Sequence, residues 1–165
     1  MNRRWLLSHA RGYLELGLVD EAAAELALLP AGQSDDTEVL GIQALILREQ
    51  SRWIELRATA AELTRRQPEL ADWWITLAYA TRRAVSLLEA EAILREAELQ
   101  HPKEPTIQFN LGCYACQRGD LAEARRRVDA AIALDTHFLA AAATDPDLAA
   151  LRTKAKNPPD CPSTP

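Results

Sequence analysis

Apolar and polar positions along the chain repeat every 34 residues. Glu21, Glu55, Glu89 and Glu123 mark the rhythm, and each is followed by an apolar residue: Ala22, Leu56, Ala90 and Ala124. Two positions before the glutamates stand Val19, Trp53, Leu87 and Leu121, and five after them Leu26, Ala60, Leu94 and Val128. Eleven positions upstream is a small residue in every copy: Ala10, Ala44, Ala78 and Gly112. Within each copy the apolar residues follow helical spacing on two segments with a short break between them. The break in the last copy is Arg118-Gly119-Asp120, where a glycine lets one helix stop and the next begin; the same slot holds Gly17, Ser51 and Val85. Pro68 and Pro102 fall between copies, where a proline ends a helix without removing an internal hydrogen bond. The pattern predicts eight helices, over 3–16 and 19–30, 36–49 and 53–66, 70–83 and 87–100, and 105–117 and 121–134. Asp35 ahead of Asp36-Thr37-Glu38, and Pro105 ahead of Thr106, supply start signals.

Composition supports an all-α reading. The 165 residues are 48% hydrophobic with 6 glycines, and Ala, Leu, Glu and Arg dominate over β-branched types. A net charge of −5 lacks the basic excess that drives nucleic-acid binding. Three cysteines, Cys113, Cys116 and Cys161, cannot all pair within one chain, which points to a reducing, cytoplasmic setting. Trp5-Leu6-Leu7 is too short an apolar run for a secretory leader, and no stretch approaches the ~20 apolar residues of a membrane span. From 154 to 165 the chain has four prolines and nothing to bury. This composition predicts a disordered tail after a helical domain over 1–153.

The fourth copy, FNLGCYACQRGDLAEARRRVDAAIALD, combines Leu111-Gly112, Gly119-Asp120, Glu123-Ala124 and Ala131. The third combines Trp74, Leu77-Ala78, Glu89-Ala90, Ala97 and Pro102. A 34-residue helix pair with these slots resembles the tetratricopeptide repeat, strongly in the second half of the chain and moderately in the first. His9 and Gln43 replace the leucine that the pattern expects. The resemblance implies an α-solenoid with repeats over about 3–34, 36–68, 70–102 and 105–136. The segment through Asp145-Pro146-Asp147-Leu148 to Leu151-Arg152 resembles the ending of many bacterial arrays, which implies a capping helix within 137–153. Such a cap is required physically, because the last helix pair otherwise leaves an apolar face open.

Candidate chemistry is sparse. Cys113 and Cys116 have CxxC spacing, but no second pair, no zinc-finger histidines and no βαβ context accompany them, so packing is the expected role. His9 in a leucine slot reads as a hydrogen-bonded core histidine, and Trp74 as core. Trp73 is a more open neighbour, and Arg125-Arg126-Arg127 reads as a solvated face. No Ser-His-Asp set, phosphate-binding glycine loop or HExxH occurs. The expectation is a protein that is not an enzyme and holds no cofactor or metal.

In the family that the chain resembles, first helices line a concave groove. The resemblance places Arg4, Leu7 and Arg11 there from copy one, and Leu45, Arg48 and Glu49 from copy two. Copy three adds Ile75, Tyr79, Arg82 and Arg83, and copy four Phe109, Asn110, Cys113 and Gln117. This mixed apolar and cationic strip implies a protein or peptide partner with acidic or carboxylate groups. The family's clamp for Glu-Glu-Val-Asp tails is missing, since Leu7, Arg11 and Ile42 stand where it needs lysine and asparagines. The functional expectation is an adaptor acting as a monomer or weak homodimer. The alternative is a class II type III secretion-like chaperone for an unfolded client.

Overall fold

The computed structural model describes residues 2–30, 32 and 36–156. Its elements are α1 (Arg3–Glu15), α2 (Val19–Ala27), α3 (Thr37–Glu49), α4 (Trp53–Arg66), α5 (Ala71–Ala84), α6 (Leu87–Gln100), α7 (Pro105–Gln117), α8 (Leu121–Leu134), α9 (Phe138–Thr144), the short 3₁₀ turn Pro146–Leu148, and α10 (Ala149–Lys156). First helices begin at 3, 37, 71 and 105 and second helices at 19, 53, 87 and 121, so the 34-residue period governs the helix starts. The fold is an all-α helical-repeat solenoid. Cys161 and the expected start at Asp35 lie outside the described residues. Of the tail predicted over 154–165, residues 154–156 belong to α10 instead, and the rest lies outside the described residues.

Three of the four breaks between paired helices share one geometry. Gly17, Ser51 and Gly119 all have positive φ, at 72°, 56° and 85°. At each, the residue's own N–H and the next one bond back to the helix. Ser51 N–H donates to the Arg48 carbonyl and Arg52 N–H to the Leu47 carbonyl, and the other two breaks repeat this pattern. Val85, in the same slot, turns at φ −131° instead. The glutamate column sits at the third position of each second helix. In copies three and four a side chain upstream accepts from its N–H: Ser86 Oγ from Glu89 and Asp120 Oδ1 from Glu123. At α3 the capping oxygen belongs to Asp36, which accepts from Glu38 N–H at 2.9 Å.

The chain forms two compact units, residues 1–93 and 94–165. In the first, α1, α2 and α3 bury Leu7, Ala10, Ala22, Val39, Ile42 and Ile46 together, while Ala44, Leu47, Leu56, Leu63 and Ala80 form a second cluster. In the second, α7 packs on α8 so closely that a Cβ on Gly112 would lie 2.9 Å from Val128 Cγ2 and 3.3 Å from the Ala124 carbonyl oxygen. The small-residue slot thus marks where paired helices touch.

Two features depart from the sequence reading. Helix α2 ends at Ala27, ahead of Pro30, rather than at 30. The capping helix has company: α9 precedes it, and Leu148 and Leu151 are buried as the apolar edge of the cap.

Candidate functional site

In the unit of residues 1–93, the faces of α1, α3 and α5 enclose an open cleft of about 600 Å³. Its floor is Gly41, Ile42 and Leu45, and the Trp73 ring forms one wall. Trp73 Nε1 donates to Gln67 Oε1 at 3.1 Å, which fixes the indole. Position 41 shares its slot with Leu7, Ile75 and Phe109, so a missing side chain opens the cleft in copy two. A second opening of about 540 Å³ adjoins it, lined by Arg4, Ser8 and Glu15 and sharing Arg11 and Glu38.

Of the arginines expected here, all but the exposed Arg4 are already engaged. Arg11 donates to Glu38 at 3.0 Å, and Arg3 reaches Asp36 at 2.9 Å and Glu38 at 3.3 Å. Arg48 pairs with its neighbour Glu49 at 3.2 Å. Arg83 lies over the Trp53 ring, 5.0 Å from its centroid, and Tyr79 meets the same ring edge-on at 5.6 Å. Arg82 is half-buried and also partnered. Such pairs at the surface offset one another and contribute little individually. Apart from Arg4, the strip is a set of locally partnered cations, not a bare cationic track.

Copy four corrects the sequence expectation more sharply. Phe109 is only 5% exposed, because the Phe138 ring of α9 packs on it with centroids 4.8 Å apart. Cys113 and Cys116 are free thiols buried in α7, and Gln117 Nε2 donates to the Asp147 carbonyl at 3.2 Å. The cap occupies this face, so Phe109 is closed to a partner; Asn110 is half-buried and Gln117 exposed. The CxxC pair forms no disulfide. Cys113 Sγ instead stands within 4.8 Å of carboxylate oxygens of Asp145 and Asp147. Asp145 is occupied there as an N-cap, accepting from Asp147 N–H at 2.8 Å.

Arg127 overturns the solvated-face reading of the arginine triplet. Its side chain is 12% exposed and sits among Glu98, Gln108 and Glu123. It donates to Glu98, to Gln108 Oε1 at 2.8 Å and to Glu123 Oε1 at 2.7 Å, while Gln108 Nε2 donates to Glu98 at 2.8 Å. Burial works to raise the Glu98 carboxyl, but the bonds from Arg127 and Gln108 outweigh it and hold the group below its ordinary value. Arg126 is exposed and pairs with Glu123, and Arg125 donates to the Leu151 carbonyl at 3.4 Å. Triplet periodicity could have revealed the inward member, since Arg127 follows Glu123 at i+4. His9 differs too: it is half-exposed, packed on Trp5 at 3.6 Å between ring centroids, with Nδ1 3.7 Å from Glu25.

No family model and no curated protein matches the sequence. Among solved structures the chain is similar to TTC0263, a thermophilic TPR protein in Thermus thermophilus. The two share 18% identity and a TM-score of 0.71, over 93% of this chain and 83% of that one. It is also similar to MamA MSR-1 C2, with 18% identity and a TM-score of 0.70 over 83% of this chain and 79% of that one. The fold is the tetratricopeptide repeat. Within that fold, the cleft at Gly41 lies on first helices, the side that the sequence reading assigned to partner contact. Among the described residues no helix is long and apolar enough to cross a membrane.

Proposed function

We propose that this TPR-fold chain is a non-catalytic interaction module that takes a partner segment on the first-helix faces of residues 1–93. The carrying observation is the cleft at Gly41, which combines a fixed Trp73 wall, an exposed Leu45 and a rim of paired charges. Apolar floors with a few oriented polar groups bind extended or helical segments through one or two anchoring side chains. Arg11, with Arg48, Tyr79, Arg82 and Arg83 further along α3 and α5, would read polar groups and carboxylates beside that anchor. Compensation of the arginines by Glu38, Glu49 and Trp53 makes the partner's carboxylates competitors for existing pairs, so apolar contact carries most of the affinity.

The test is selection of a displayed random-peptide library on the immobilised full chain, followed by titration of the recovered sequences. Leu45→Glu should weaken binding at least tenfold, about 1.4 kcal/mol. Arg82→Ala should cost a smaller factor and the outer control Arg126→Ala none. Peptides that ignore Leu45→Glu but lose affinity with Arg126→Ala would place the partner elsewhere and end this reading.

A further inference from the structure

Helix α1 carries its charges in the reverse sense to its neighbours. Helices α3, α4 and α5 each have an acid in the first turn and arginine in the last, the order that the helix dipole favours. In α1 the first turn holds Arg3 and Arg4 with no acid, and the last turn holds Glu15 with no base. Arg3 is taken up by Asp36 and Glu38. Arg4 and Glu15 are exposed, and no described residue ion-pairs or hydrogen-bonds with either side chain. Their placement costs the helix some stability and nothing among the described residues offsets it.

Arg4, Ser8, Arg11 and Glu15 follow at spacings of four, three and four, which puts them on one narrow stripe of the helix. The stripe lines the opening of about 540 Å³. Its two ends, opposite in charge, are separated by eleven residues, about 16 Å of helix. An arrangement of this kind is self-complementary under a two-fold axis. When two copies of α1 lie antiparallel about their midpoint, Arg4 of each faces Glu15 of the other and Ser8 faces Arg11. A Cβ at Gly12 would meet nothing within 4 Å, so the approach there is open. Trp5, 53% exposed beside the stripe, gains cover in the same step. Antiparallel packing also sets the two helix dipoles head to tail.

We propose that a second copy of this chain is the occupant of the α1 stripe, giving an isologous, salt-sensitive homodimer held by reciprocal Arg4–Glu15 pairs. Isologous contacts repeat each interaction twice, so each charge matters doubly. One helix pair buries less than the area of a standard stable interface, so the dimer is weak and dissociates as ionic strength rises.

The test is sedimentation equilibrium of the full chain at low and high salt, with wild type, Arg4→Glu, Glu15→Arg and the double reversal Arg4→Glu/Glu15→Arg. Wild type should move from 18.3 kDa toward twice that mass with concentration at low salt. Each single reversal should raise the dimer Kd at least tenfold, because two attractive pairs become repulsive. The double reversal should return it to within about threefold of wild type. Reversals also correct the helix dipole, so thermal unfolding should show no loss of stability in any variant, which separates interface from fold. A wild type that stays monomeric at low salt, single variants that dimerise like wild type, or a double reversal that stays monomeric would each overturn the proposal.

Discussion

Gly112 shows how a single position can be decided by distance alone. Alanine in a helix is favoured over glycine by roughly 1 kcal/mol. Here the added methyl would lie 2.9 Å from Val128 Cγ2 and 3.2 Å from Arg127 Cβ, inside contact distance, so α7 and α8 must part. Gly112→Ala should therefore lower stability by about 1–3 kcal/mol in urea denaturation, despite the better helix former. Ser51 presents the opposite case. It holds φ 56° in a turn whose counterparts are Gly17 and Gly119, and a side chain in that region costs about 1 kcal/mol. Ser51→Gly should stabilise the chain by roughly 0.5–1 kcal/mol, read as a rise in melting temperature, and Gly119→Ser should reverse the sign. The 34-residue spacing made both slots visible. Their backbone angles and clearances belong to the packed helices.

Helices in the second unit meet through charge as well as apolar surface. Arg127 of α8 ties Glu98 of α6 to Gln108 of α7, and the side chains are largely withdrawn from water. Removing Arg127 leaves Glu98, Glu123 and the Gln108 side-chain carbonyl oxygen each short of a donor in a largely buried setting, which costs more than the bond itself is worth. Arg127→Ala should lower stability by about 2–3 kcal/mol, more than Arg126→Ala, whose side chain is exposed. Glu98 gives this network a pH signature. Its folded pKa lies below the ordinary 4.5, so its contribution is fully present above the unfolded value and is lost as pH falls through the folded one. The stability gap between wild type and Glu98→Gln should be widest near neutrality and close as pH drops below about 4.5. A gap that widens in acid would show that the network is not held by the carboxylate.

Over the molecule as a whole, the face that the fourth helix pair leaves open is covered by the segment that follows it. Phe138 covers Phe109, the 3₁₀ turn with buried Leu148 packs on α7, and α10 with buried Leu151 packs on α8, as a solenoid end requires. Phe138→Ala should cost about 2 kcal/mol through lost ring packing. Deleting residues from 137 onward should do more: uncovering α7 should add binding of a hydrophobic dye and lower the melting temperature by several degrees. Retention of wild-type melting by that deletion would mean that α7 needs no cover.

Local rules were enough for every repeating feature. The period of apolar positions located the helix starts, small residues marked Ala10, Ala44, Ala78 and Gly112 as helix contacts, and Asp145-Pro146 marked the start of the cap, because each is encoded within a few residues of where it acts. The site was less legible, since its character depends on partners distant in sequence. That Arg11 meets Glu38, that Arg83 lies on Trp53, that Arg127 turns inward to Glu98 and that Phe138 closes over Phe109 are pairings across 27 to 30 residues. Helical periodicity assigns each side chain to a face. Only packing decides what the face meets, and so which charges are left for another molecule.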